Sequence, residues 1–236
     1  MTGTAPPYVL HYAPDNASLI VRLALEELHL PYRTALVDRA TRAQDSAAYR
    51  ALNPAGLIPV LETPDGAIFE TAAILLWLSE RHGALAPAPG SAGRAAFLKW
   101  LFFTSNTLHA DLRQLFYPAR HAGAPEAVPA FAAATRARIS GHLALLDAMA
   151  ATRPDWFRPD RPSVLTCYIP PLLRWLALYP VDTAGWFDLA AAPALHAVAA
   201  AMEARPSALA AAKAEGLGTA IFTRPSYACP PEGSAT

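Results

Sequence analysis

The chain has 236 residues, 53% of them hydrophobic and 16% charged, and its formal net charge is zero. That length suits one large domain or two modest ones with ample core. The neutral balance and the lack of any basic run argue against nucleic acid or an anionic membrane surface as partners.

The opening MTGTAPPYVLHYAPD lacks a positively charged start followed by an apolar core, so no signal peptide is expected and the reading is cytoplasmic. Tyr8–Tyr12 reads as a short strand. Ser18–Leu30 reads as an amphipathic helix that Ser18 could cap, with Leu19, Leu23 and Leu30 inward. Pro31–Val37 is a second strand, and residues 39–51 are polar and left open. Leu57–Glu62 and Ala67–Glu70 read as two strands about a Pro64-Asp65-Gly66 turn. Thr71–His82 follows as a helix stopped by Gly83.

The composition then changes. Residues 84–93, ALAPAPGSAG, read as a linker. Beyond it helical periodicity dominates: Arg94–Leu115, Ala127–Ala150, Val164–Leu178, Pro193–Ala204 and Ser207–Glu215. Val164–Tyr179 is the most apolar long stretch, but Pro170, Pro171, Arg174 and its limited length predict a buried helix, not a membrane span. From Thr223 the proline-rich tail has little to bury. Cys167 and Cys229 lack metal-ligand spacing and form no CxxC, so reduced thiols and no metal are expected. The predicted architecture is a small α/β domain over 1–83, a linker over 84–93 and an all-helical domain over 94–236.

Two short motifs carry chemistry. A proline inside Ile58-Pro59-Val60 removes a ladder donor and marks an edge, a bulge or a cis bond. A cis bond would turn the Ile58 amide and carbonyl outward, where they could pair with an extended peptide. The plainer reading is an edge strand without a ligand. Glu70-Thr71 stands at a helix start, where free N–H groups, the dipole and the Thr71 hydroxyl favour a carboxylate, and Glu70 can accept from an ammonium. The pair could hold a zwitterionic amino-acid end, or Thr71 could simply cap its own helix.

Together these residues resemble the cytosolic glutathione S-transferase family over nearly the whole chain. Asn53-Pro-Ala-Gly-Leu-Ile-Pro-Val-Leu61 and Glu70-Thr71 are similar to the glutathione-binding half. Trp100–His109 is similar to a bacterial beta-class segment, and Glu203–Ser207 with Ala214-Glu215-Gly216 to the last helices. The resemblance implies a thioredoxin-like domain before a helical bundle with a second-substrate pocket, and glutathione as co-substrate. It also implies a homodimer, a small hydrophobic electrophile and a role in detoxification. Ile58 and Pro59 would hold the cysteinyl backbone, Glu70 and Thr71 the γ-glutamyl end, and His109 would line the site.

Such a site must lower the thiol pKa, because only the thiolate is a good nucleophile. Tyr12-Ala-Pro-Asp-Asn-Ala-Ser18-Leu lies along the beta-class run that carries a cysteine, but that position here is Ala17. Mixed-disulfide chemistry at that cysteine is therefore unsupported. Ser18, Tyr12 and Asn16, in that order, are the candidate sulfur donors. The alternatives are an N-cap for Ser18 and a core aromatic for Tyr12. Thr166 stands where the family usually has an aspartate, so it cannot supply a charged return bond to Ser163. Trp100, Phe102, Phe103, Phe116 and Tyr117 could wall an electrophile pocket or fill a domain interface. The overall expectation is a transferase, with two alternatives: a non-catalytic binding or scaffold protein, and a glutathione-dependent disulfide reductase.

Overall fold

Strand β1 (Tyr8–Tyr12) alternates its side chains between two covered faces. Tyr8, Leu10 and Tyr12 are buried in the main core, while His11 packs edge-on against Tyr49 at 5.9 Å between ring centres. The structure, a computed structural model, describes residues 7–181 and 185–235. Helix α1 (Ser18–Glu27) carries the chain from β1 to the parallel strand β2 (Tyr32–Leu36). β3 (Val60–Thr63) and β4 (Gly66–Phe69) complete a four-stranded sheet in the order β2-β1-β3-β4, both of them antiparallel to their neighbours.

The segment over 39–51, ambiguous in the sequence, contains a 3₁₀ turn at Ala43–Asp45 and the start of helix α2 (Ala47–Leu52). Ser46 caps α2 by accepting from the Tyr49 N–H at 3.2 Å. β3 begins three residues later than its apolar run suggests. The Ile58-Pro59 bond is cis, and the Leu57 carbonyl is turned inward to accept from the Tyr49 hydroxyl and the Asn53 amide, each at 2.8 Å. Helix α3 (Thr71–His82) ends at Gly83, which takes the left-handed φ of +61° that only glycine adopts freely.

The rest is helical: α4 (Arg94–Phe103), α5 (Ala110–Phe116), α6 (Val128–Ala151), α7 (Val164–Leu178), α8 (Pro193–Glu203) and α9 (Pro206–Glu215). The single helix expected over Arg94–Leu115 is interrupted by a π turn at Thr104–His109. Such widened turns recur at functional sites. α7 runs through Pro170 and Pro171, so the carbonyls of Thr166 and Cys167 lack their i+4 N–H donors. No described helix is long and apolar enough to cross a membrane.

One continuous apolar core joins both halves, from Leu10 and Leu23 through Leu112 and Leu172 to Leu195. The linker is fastened to it, because the Val164 N–H donates to the Leu85 carbonyl at 2.8 Å. No residue from Thr223 to Ala235 is buried, but the segment just before it is anchored. Ile221 and Phe222 are buried, and Glu203 accepts from the Phe222 and Thr223 N–H groups. Cys167 is buried, Cys229 is exposed and both thiols are free.

Candidate active site

Strand register sets the site. His11 stands opposite Val60, and Val60 opposite Phe69. The residues that follow or precede them, Tyr12, Pro59 and Glu70, therefore lie side by side at one end of the sheet. Three strands at about 4.8 Å spacing span roughly 10 Å, the length of about three extended residues.

The loop before Pro59 is pinned from below. Asn53 Oδ1 accepts from the Ala55 N–H at 3.0 Å while its amide holds Leu57. With Leu57 turned inward and Pro59 buried, the backbone N–H and carbonyl of Ile58 make no hydrogen bond among the described residues. They form a short open edge beside the sheet.

Glu70 closes the other flank. It takes φ +72° and ψ 118° as the N-cap of α3, a costly conformation for a residue with a Cβ, and its side chain caps nothing. Glu70 is exposed, and the N–H groups of Thr71, Ala72 and Ala73 that follow it have no acceptor within the helix. Thr71 is buried, and its hydroxyl makes no hydrogen bond among the described residues.

Opposite stands His109, at the end of the π turn. Its Nδ1 lies 2.9 Å from the Tyr168 hydroxyl, and its ring tilts over Trp175 at 5.9 Å. Burial, reinforced by Arg113, holds the imidazole down to about 4, so it is neutral at physiological pH. Burial pushes the Tyr168 hydroxyl up, and the Glu70 carboxylate adds to that.

The β1–α1 corner positions the three candidate donors differently. Ser18 is fully buried; its hydroxyl donates to the Ala13 carbonyl at 3.0 Å and accepts from the Ala13 N–H at 3.3 Å. The Tyr12 hydroxyl donates to the carboxylate of Glu232, and the Arg22 guanidinium lies over its ring at 4.8 Å. Burial, then Glu232, raise the phenol well above its ordinary range. Asn16 is half-buried; its Oδ1 accepts from the Ala17 N–H at 2.8 Å, and its amide N–H groups have no acceptor among the described residues.

Sequence reasoning missed the residues that fix this corner. Asp15, at φ +50°, is buried against Arg174 at 2.8 Å and accepts from the Trp175 indole at 2.8 Å. Glu215 accepts from the Asp15 N–H at 2.8 Å and from Arg22 at 2.7 Å. Nothing in the local pattern around Glu232 announces its approach to Tyr12. Among the aromatics, Trp100 and Phe103 pack together, with Phe103 against His142 of α6. The hydroxyl of Tyr117, by contrast, accepts from Arg39 at 3.0 Å.

Residues 17–81 match the family described as glutathione S-transferase, N-terminal domain. A glutathione S-transferase of Xanthomonas campestris, GST-4.5, is 28% identical over 88% of this chain and 98% of its own. Glutathione S-transferase GstB of Escherichia coli is 31% identical over 65% of this chain and 74% of its own. Among solved structures, a sphingomonad glutathione S-transferase complexed with glutathione is 32% identical, with a TM-score of 0.71 over 89% of this chain and all of that one. A thioredoxin-like sheet with a helical second half, joined at this end of the strands, defines the class of cytosolic glutathione transferases. The chain belongs to the glutathione S-transferase family and is a transferase.

Proposed function

We propose that the chain binds glutathione across the sheet end and activates its thiol for attack on a small hydrophobic electrophile. The open Ile58 backbone beside the strained, unpaired Glu70 is the observation that carries this reading. Ile58 pairs with the cysteinyl backbone, and Pro59 shapes that edge. The α3 N-terminus and the Thr71 hydroxyl take the γ-glutamyl carboxylate, and Glu70 accepts from its ammonium. His109 lines the opposite wall.

Sulfur then falls near the α1 N-terminus. Of the three donors, Ser18 commits its proton to Ala13 and Tyr12 commits its proton to Glu232. The Asn16 amide remains, and we assign it to the sulfur. A donor there stabilises the thiolate, whose lone pair forms the new bond to carbon as the leaving group departs with its electrons. The enzyme works in the cytoplasm as a homodimer, with detoxification of reactive small molecules as its role.

Calorimetry with glutathione and bound-thiolate absorbance across pH test this assignment. Glu70→Gln raises Kd about tenfold or more, as loss of a charge-assisted bond predicts. Asn16→Ala moves the bound thiol pKa up by about one unit, whereas Tyr12→Phe and Ser18→Ala move it less. Binding without any thiolate signal near neutrality would leave a non-catalytic binder. Turnover of hydroxyethyl disulfide but not chlorodinitrobenzene would make it a disulfide reductase instead.

A further inference from the structure

The polypeptide after α9 does not trail away. It is first fastened to the body: Arg174 donates to the Ile221 carbonyl at 3.1 Å and to the Ser226 carbonyl at 2.8 Å. The Tyr227 hydroxyl donates to the Leu178 carbonyl at 2.9 Å, and the Cys229 N–H to the Gly216 carbonyl at 2.8 Å. Gly216 is required there, since a Cβ would stand 2.0 Å from the Cys229 carbonyl oxygen. Pro230 and Pro231 then stiffen the turn toward the sheet end.

The last described residues cross the β1–α1 corner. The carboxylate of Glu232 accepts a hydrogen bond from the Tyr12 hydroxyl. Gly233, at φ +71°, lies so close over Leu36 and Pro14 that a Cβ would meet Leu36 Cδ1 at 2.7 Å. The Ala235 carbonyl accepts from Arg39 at 2.8 Å, and the same guanidinium holds Tyr117 on the helical side. This segment thus lies on the flank away from Glu70, where an electrophile must approach sulfur.

We infer that residues 230–235 form a strap over the electrophile side of the site, latched by Glu232 on Tyr12 and by Arg39 on Ala235, and that its release admits the second substrate. The contrast between its two parts supports this. The part up to Cys229 is held by the fully buried Arg174 and by a main-chain bond to Gly216, whereas Pro231, Glu232 and Gly233 are exposed and Arg39, which holds Ala235, is not buried. Segments held by few, exposed contacts open most readily. The inference rests on the glutathione reading for its consequence but not for its geometry.

Two readouts separate the two. Cleavage after Glu232 by a glutamate-specific protease, followed by intact mass without any ligand, reports the latch. Arg39→Ala and Tyr12→Phe are each cut about fivefold faster than wild type, the factor that one lost hydrogen bond corresponds to. Turnover of chlorodinitrobenzene with glutathione reports the gate. Glu232→Ala and Arg39→Ala each raise kcat/KM about fivefold and leave the glutathione Kd within twofold, with Glu232→Gln between wild type and Glu232→Ala. Cleavage at the wild-type rate in both latch variants overturns the strap, as does an unchanged or lowered kcat/KM with glutathione still bound. Faster cleavage in a chain that binds no glutathione upholds the latch and overturns the glutathione reading instead.

Discussion

His109 illustrates how one side chain's surroundings set its chemistry. It is boxed by Tyr168 and Trp175 and faces the positive charge of Arg113. A lone histidine on a helix says little by itself, and the π turn that ends at it is invisible in the periodicity. Because its folded pKa lies near 4 and its unfolded value near 6.5, the unfolded chain binds the proton first as pH falls. The stability due to its neutral form is present above about pH 6.5 and is lost as pH drops through the window toward 4, a loss on the order of 2–3 kcal/mol. Denaturant midpoints measured across that window fall for wild type and stay flatter for His109→Gln. Glu70 is a second case. Its pairing with Thr71 was legible, but the backbone strain that presents it was not, since a positive φ at a glutamate leaves no mark on composition.

Elements with a single strong signal were read from sequence closely. Val164–Leu178 and Thr71–His82 have the ends expected of them, set by Ser163 and Gly83. The exceptions share a cause, which is backbone that departs from a regular ladder for tertiary reasons. The cis Pro59 bond delays β3, the π turn splits the helix after Arg94, and the short α2 depends on the Ser46 cap. At α7 the missing aspartate is answered locally. Thr166 Oγ1 accepts from the Ser163 N–H at 2.8 Å while Ser163 accepts from the Thr166 N–H at 3.3 Å, an uncharged capping box. Thr166→Val removes the return bond in a buried place. It should lower stability by about 1–2 kcal/mol, and the melting temperature by a few degrees, in calorimetric scans.

Across the whole molecule, two buried ion pairs join the β1–α1 corner and α1 to the helices α7 and α9. Asp15–Arg174 and Arg22–Glu215 meet at the Asp15 backbone, and none of the four side chains is more than 6% exposed. A buried charge is costly chiefly when its partner is removed. Arg174→Met should therefore cost about 3–5 kcal/mol, while the double variant with Asp15→Leu should recover part of that loss in urea titrations. Sequence pattern could not reveal these pairs, whose members lie far apart along the chain and look individually like ordinary surface charges. Asp15 belongs to the first half by position and to the second by bonding, and this bears on recombination. A chimaera that joins this sheet to a relative's helices inherits a carboxylate shorn of its guanidinium unless that relative carries one in the same place. Successful crossovers will be those in which positions 15 and 174 are inherited together.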